Sequence, residues 1–231
     1  MNSSTLMSVP TKEQILDAAE RLITERGIDA VSLRAITAEA NVNLAAVHYH
    51  FGSKEGLVHK VFERRIRPLN QTRLERLAAA ERAAGEGPLD VEVVLRALIE
   101  PAIRLSSEHE RGSQLMRMCG RIYAEQSAAV QETFDDLFRE LVEKFRAAFA
   151  RALPGLPPAE VAWRVHFAVG AMVHTLTESE KIKRFTDGAC DTADTDALVE
   201  RIIRFCVAGM RAGVSEQSPA AVAENRLEAI Q

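Results

Sequence analysis

Residues 32–54 read SLRAITAEANVNLAAVHYHFGSK, and two short helices joined by a tight turn account for that order of residue types. Ser32 is a good N-cap, because its hydroxyl can accept one of the unpaired N–H groups of a first turn. Leu33, Ile36 and Ala40 then recur at helical spacing. The break falls at Asn41-Val42, where the chain needs a residue tolerant of unusual φ; Asn supplies it in place of the commoner glycine. Asn43 can cap a further helix reaching about Phe51, which Gly52-Ser53 ends. Val42, Val47 and Phe51 should turn inward against Ile36 and Ala40. Leu44, Ala45, Ala46 and His48 then occupy an outward face that is small or polar enough to approach another surface closely. Such a pair is a helix-turn-helix, whose second helix can enter a DNA major groove while the first braces it across the backbone.

Working outward, Thr11-Lys12-Glu13-Gln14 has capping-box form. Ile15, Leu16, Ala19, Leu22 and Ile23 follow on one helical face, and Gly27 stands where a left-handed cap is wanted. On the other side, Ser53 should cap a long fourth helix to about Ala84, with Pro68 expected to kink or divide it. Beyond the loop Gly85-Glu86-Gly87-Pro88, helices are expected at 89–106 (bent at Pro101), 113–125, 128–153, 158–180 and 195–212. No stretch alternates as a strand does. The expected fold is all-α: a three-helix helix-turn-helix module over residues 1–52, a helical domain for ligand sensing and dimerisation over 53–213 with 53–84 as linking helix, and a polar, Ala-rich tail over 214–231.

Composition narrows the class. The 231 residues are 47% hydrophobic and 27% charged, enough apolar side chain for a real core. The formal charge of −4 does not suggest a polyanion binder, but residues 1–67 hold nine Lys/Arg against eight Asp/Glu. A nucleic-acid surface would therefore be a small patch near the N-terminus. Cys119, Cys190 and Cys206 form no C-x-x-C pair and read as free thiols of a reducing cytosol. The N-terminal MNSSTLMSVPTKEQ lacks a basic region running into an apolar one, so no signal peptide is expected. The longest nearly apolar stretch, 161–176, is broken by Arg164, His166 and His174 and is too short for a bilayer. A cytoplasmic protein without membrane contact is expected. Nothing resembles a Gly-rich phosphate loop, a nucleophile elbow or a His-Glu-x-x-His pair, so an enzyme is not expected. No cofactor is expected either. No metal is expected at His48 and His50, which diverge by about 200° on a helix.

The run Asn43-Leu-Ala-Ala-Val-His-Tyr-His-Phe-Gly-Ser-Lys-Glu-Gly-Leu57, about thirty residues after Ile15-Leu-Asp-Ala-Ala-Glu-Arg-Leu-Ile23, resembles the TetR family of repressors over roughly residues 11–60. The resemblance implies a double-stranded DNA operator and a role for each matching position. Arg34 matches a base-reading arginine, suited to a bidentate contact with guanine. Tyr49, His50 and Lys54 match phosphate-gripping positions, and Ser32 and the helix start at Asn43 can donate to backbone oxygens. Leu44, Ala45 and Ala46 cannot donate hydrogen bonds from their side chains and are better placed to touch thymine methyls. This apolar reading face departs from members with Gln or Thr there, so an operator sequence does not transfer.

The resemblance further implies a C-terminal domain that binds a ligand and forms a dimer. The residues agree. In the last helix Leu198, Ile202, Phe205, Gly209 and Ala212 make one stripe, and Val199, Ile203, Cys206 and Met210 a second. The 161–176 stretch is apolar nearly all round. Two helices covered this fully suit a two-fold interface through the last two long helices. Two recognition helices about 34–36 Å apart would then read a pseudo-palindrome. Met116, Tyr123, Phe134, Phe138, Trp163 and Phe167 suit either core or an apolar pocket for a small apolar or amphipathic effector. Arg73-Leu-Glu-Arg-Leu77 resembles the fatty-acid- or acyl-CoA-responsive members. The expected function is a ligand-responsive regulator, most simply a repressor released by its effector; a sensor domain that reads a protein partner is the alternative.

Overall fold

The computed structural model describes residues 11–108, 112 and 128–213. Among them are nine α-helices and no strand: α1 (Thr11–Arg26), α2 (Leu33–Glu39), α3 (Leu44–Phe51), α4 (Lys54–Ala84), α5 (Val91–Glu108), α6 (Ala128–Ala152), α7 (Pro158–Thr177), α8 (Ser179–Phe185) and α9 (Thr195–Arg211). The helix expected at 113–125 and the tail at 214–231 lie outside the described residues.

Local chemistry sets the first helices. Ser32 accepts from the Ala35 N–H at 3.1 Å, Asn43 from Ala46 at 2.9 Å and Ser53 from Gly56 at 3.1 Å. Each cap satisfies a donor that its helix leaves unpaired. Asn41 takes φ 53°, and Gly27, at φ 85°, closes α1. α1, α2 and α3 pack on one another, and α1 and α3 also rest on α4. Ile15, Ile36, Val47, Leu57 and Val61 are almost fully buried in the resulting core.

α4 runs without interruption through Pro68, so the expected division does not occur. Proline removes one backbone donor and crowds the preceding turn. Here Ile66, Leu69, Asn70, Arg73 and Leu77 are buried on both sides of it, and that packing carries the helix across the defect. Arg73, 3% exposed, donates through Nε to the Leu98 carbonyl at 2.8 Å and through Nη1 to Asn70 Oδ1 at 3.2 Å. Asn70 in turn donates to the Leu137 carbonyl at 2.9 Å. These buried polar bonds tie α4 to α5 and α6. Pro101 likewise lies inside a continuous α5.

α4 packs against α5 and α6, and α9 packs chiefly on α5 and also on α7. Ion pairs fasten the α5–α9 contact: Arg96 bonds both Glu92 and Glu200, and Arg104 reaches Glu100 and Asp196. Arg164 of α7, 8% exposed, donates to the carbonyls of Met210 at 2.8 Å and Ala212 at 2.7 Å. A buried cation thereby closes the carbonyl end of α9.

The single helix expected over 158–180 is two. α7 ends at Thr177, and α8 follows after Glu178, whose φ −117° and ψ 19° leave the helical range. Thr175 and Thr177 bond back to the carbonyls of Ala171 and Val173, which loosens a helix end. No helix among the described residues is long and apolar enough to cross a membrane.

Candidate nucleic-acid interface

α3 is a two-sided helix. Val47 is fully buried and Ala46 is half-buried against the core, whereas Leu44 is 40% exposed and Ala45, His48, Tyr49 and His50 are exposed. Ala46 thus leaves the outward face expected for it. It lies one position, or about 100°, from Val47 and shares the inward edge. Tyr49 is 85% exposed, its ring edge-on to His50 at 5.0 Å between centroids. Nδ1 of His48 donates to the Gly52 carbonyl at 3.0 Å, which fixes that ring at the helix end and leaves Nε2 outward.

Arg34, exposed in the first turn of α2, has no carboxylate partner among the described residues. Four acids of the module are engaged elsewhere: Glu39 with Arg21 at 3.0 Å, and Glu13, Asp17 and Glu20 with Arg64. Ser32 and Asn43 use their side-chain oxygens as caps, so the Ser32 hydroxyl proton and the Asn43 amide remain to donate. Lys54 is half-buried at the start of α4. Its neighbour Glu55 is held below the ordinary carboxylate range, first by its own backbone N–H and then by Ser53. The start of α4 is therefore not a bare cation cluster.

Sequence reasoning missed two features. Gly56 looks like an unremarkable helical glycine, yet a Cβ there would sit 2.2 Å from the Phe51 carbonyl oxygen. Only glycine lets the end of α3 approach α4 so closely; the available signal was a glycine kept inside a helix, where it is otherwise unfavourable. The second is Arg64, whose Nη1 and Nη2 reach three carboxylates of α1 while Arg65 bonds Glu20 as well. Burial opposes the charge on Arg64, but its bonds to Glu20, Asp17 and Glu13 outweigh that and raise its pKa. No spacing in the sequence announces a contact across 44 to 51 positions.

The candidate ligand residues scatter. Met116 and Tyr123 lie outside the described residues, as does the side chain of Phe134. Phe138 is half-buried against the core. Trp163 and Phe167, expected to line a pocket, are 58% and 64% exposed and stack on each other at 5.7 Å. The inward side of α7 is taken by Val161, Arg164, Ala168 and Met172. Trp163 lies two positions, about 200°, from Val161 and so faces away. Phe205 of α9 is 72% exposed, beside exposed Ala208 and Gly209. The stripe of Val199, Ile203, Cys206 and Met210 is buried.

A small all-α module that presents one short helix, joined by a continuous helix to a larger helical domain, is the build of a helix-turn-helix transcriptional regulator. Residues 15–61 match the family model described as "Bacterial regulatory proteins, tetR family", and residues 96–209 match "Tetracyclin repressor-like, C-terminal domain". The chain belongs to the TetR family of transcriptional regulators, which are not enzymes. It is 42% identical over 53 residues to the nicotine-responsive transcriptional repressor HdnoR of Paenarthrobacter nicotinovorans, covering 23% of this chain and 27% of that one. The match spans about a quarter of the length of this repressor and of the probable regulator YttP of Bacillus subtilis. In fold it is similar to the fatty acid degradation regulator FadR of Bacillus halodurans, with TM-score 0.63 and 16% identity over 89% of this chain and 98% of that one. It is also similar to FadR of Bacillus subtilis in complex with stearoyl-CoA, with TM-score 0.55 and 16% identity over 85% and 98%.

Proposed function

We propose that the chain is a ligand-responsive repressor that binds a pseudo-palindromic operator as a homodimer and leaves it when a small apolar or amphipathic effector binds. One observation carries the DNA reading: α3 exposes Leu44, Ala45 and Tyr49, and α2, packed on it, exposes Arg34 without a carboxylate partner among the described residues, leaving an apolar edge and a cation to meet a duplex. Arg34 reads guanine, Leu44 and Ala45 touch thymine methyls, and Tyr49, His50 and Lys54 hold phosphates, with Ser32 and Asn43 donating nearby. His48 orients the end of α3. Residues 1–67 hold nine Lys/Arg against eight Asp/Glu, so the salt dependence of binding is shallow.

The dimer reading rests on the outer faces of α7 and α9. Trp163 and Phe167 on α7 and Phe205 on α9 present large apolar side chains to solvent, and Ala208 and Gly209 of α9 are exposed as well. Large apolar side chains exposed together on a helix face mark an interaction site, and two-fold pairing of the last two long helices covers them most simply. For the effector, the likeness in fold to a regulator crystallised with stearoyl-CoA supports an amphipathic molecule seated among the helices of the C-terminal domain. Its binding shifts α4, continuous from module to sensor, between two settings; a coupling of about 1–3 kcal/mol suffices for a useful switch.

The test is recovery of bound genomic duplexes followed by titration of the recovered site. Arg34→Ala should weaken that site by about 1–3 kcal/mol and relax a single position. A uniform loss across unrelated duplexes overturns the base-reading role, and no retention of any duplex at low ionic strength overturns the function.

A further inference from the structure

Between the end of α7, α8, the loop after it and the start of α9 lies a cavity of about 410 Å³. Its wall is a built one. The Thr186 hydroxyl accepts from the Cys190 N–H at 3.0 Å, Gly188 N–H donates to the Lys183 carbonyl at 2.9 Å, and Ala189 N–H to the Thr186 carbonyl at 2.9 Å. Asp187 and Gly188 turn the chain at φ 48° and 83°. α8 is too short to hold itself in water, and it turns Ile182 and Phe185 toward the cavity instead of burying them; they stay 46% and 70% exposed. Leu198 of α9 adds a third apolar side chain to the lining.

The ion pairs at the cavity leave one lining cation without a partner among the described residues. Glu178 is held by Lys181 at 3.7 Å, and Asp191 by Lys183 at 3.5 Å. Asp194, the N-cap of α9, accepts from the Ala197 N–H, and on α9 Asp196 pairs with Arg104 and Glu200 with Arg96. Both carboxylates of the lining, Glu178 and Asp191, thus have a lysine partner, while Arg201, on its wall, has no carboxylate within ion-pair distance among the described residues. His174 stands beside it on the lining. A guanidinium fork with no anion to hold, next to three apolar side chains, is suited to a carboxylate on a compact apolar body. The volume lies near the lower end of small-molecule sites, about 300–1,000 Å³, and has room for a ring or a short branched chain.

We propose that this cavity binds a small organic acid, an aromatic or short branched carboxylate, with Arg201 gripping the carboxylate and Ile182, Phe185 and Leu198 enclosing the body. The site is distinct from the effector position proposed within the helical domain and stands without it. Its occupant joins the end of α7 to the start of α9, the two helices proposed to face a second copy of the chain.

Cys190 supplies the test. It is an exposed thiol in the cavity wall, while Cys206 is buried. In the full chain carrying Cys119→Ser, the rate of Cys190 alkylation by N-ethylmaleimide is followed by peptide mass spectrometry. The probes are benzoate, phenylacetate and isovalerate into the millimolar range, with phenylacetamide as the uncharged control. An acid at about ten times its dissociation constant should slow the reaction about tenfold. The amide should not, Arg201→Gln should abolish the protection, and Arg201→Lys should keep part of it. An unchanged rate with all three acids, equal protection by acid and amide, or full protection in Arg201→Gln overturns the proposal. No DNA enters the assay, so a failure here leaves the operator reading untouched, and the reverse also holds.

Discussion

Replacing Glu20 by Gln removes one negative charge from the junction of α1 and α4 and almost no volume. Glu20 is the most enclosed carboxylate of its cluster, with its side chain 11% exposed, against 44% for Glu13 and 62% for Asp17. Its two oxygens take Arg64 Nη2 and, at 2.9 and 3.0 Å, Arg65 Nε. Gln keeps one acceptor but turns an amide donor toward a guanidinium donor. Charge-assisted hydrogen bonds contribute about 1.5–3 kcal/mol, and breaking a fully buried pair costs about 3–5 kcal/mol. Arg64 and Arg65, 22% and 28% exposed, retain some water, and Arg64 keeps Glu13 and Asp17. The expected loss is therefore about 2–3 kcal/mol, set by the lower of the two ranges. For a chain of this size that lowers the unfolding midpoint by about 4–12 °C. Asp17→Asn, at the exposed rim, should cost less than about 1 kcal/mol. Circular dichroism melts at one fixed protein concentration measure both, since association shifts the midpoint. If Glu20→Gln and Asp17→Asn melt together, burial does not rank these pairs and the α1–α4 junction is held by apolar packing alone.

Three further outcomes are expected. Glu63 bonds Lys60 and Arg67, and these bonds, Lys60 foremost, depress its pKa. A depressed carboxyl contributes stability that is complete above its unfolded value and is lost as pH falls through the folded one; Glu63→Gln should thus narrow its deficit against the parent as the pH of chemical denaturation series drops below about 4. Gly56→Ala should destabilise despite the gain of about 1 kcal/mol that alanine brings to a helix interior, because the new Cβ meets the Phe51 carbonyl at 2.2 Å; a higher midpoint in urea would contradict it. Phe205→Glu should leave the helical signal intact and shift sedimentation from dimer to monomer, since hiding one such side chain is worth about 1.5–3 kcal/mol and the two-fold loses it twice.

What the sequence revealed and what it hid divide along one physical line. Caps act within three residues, so Ser32, Asn43 and Ser53 could be read directly, and the positive φ of Asn41 follows from the turn that it must make. Periodicity told that α7 and α9 were apolar on more than one side, but not which side met the core. That choice belongs to Arg164, which is drawn inward by the carbonyls at the end of α9 and brings Val161, Ala168 and Met172 with it. The same rotation leaves Trp163 and Phe167 outside, neither in the core nor in a pocket lining, the two places their sequence pattern suits. Pro68 misled for the opposite reason: a local defect is visible in the sequence, whereas the burial of Leu69, Arg73 and Leu77 that overrides it is not. The junction of α1 with α4 is the extreme case, because Arg64 and Glu20 acquire their meaning only once the fold has brought them together. The helix-turn-helix was therefore the legible part, being built from short-range bonds. The faces that α7 and α9 turn to a partner, and the cavity behind α8, depend on how a helix is rotated about its own axis, which long-range contacts decide.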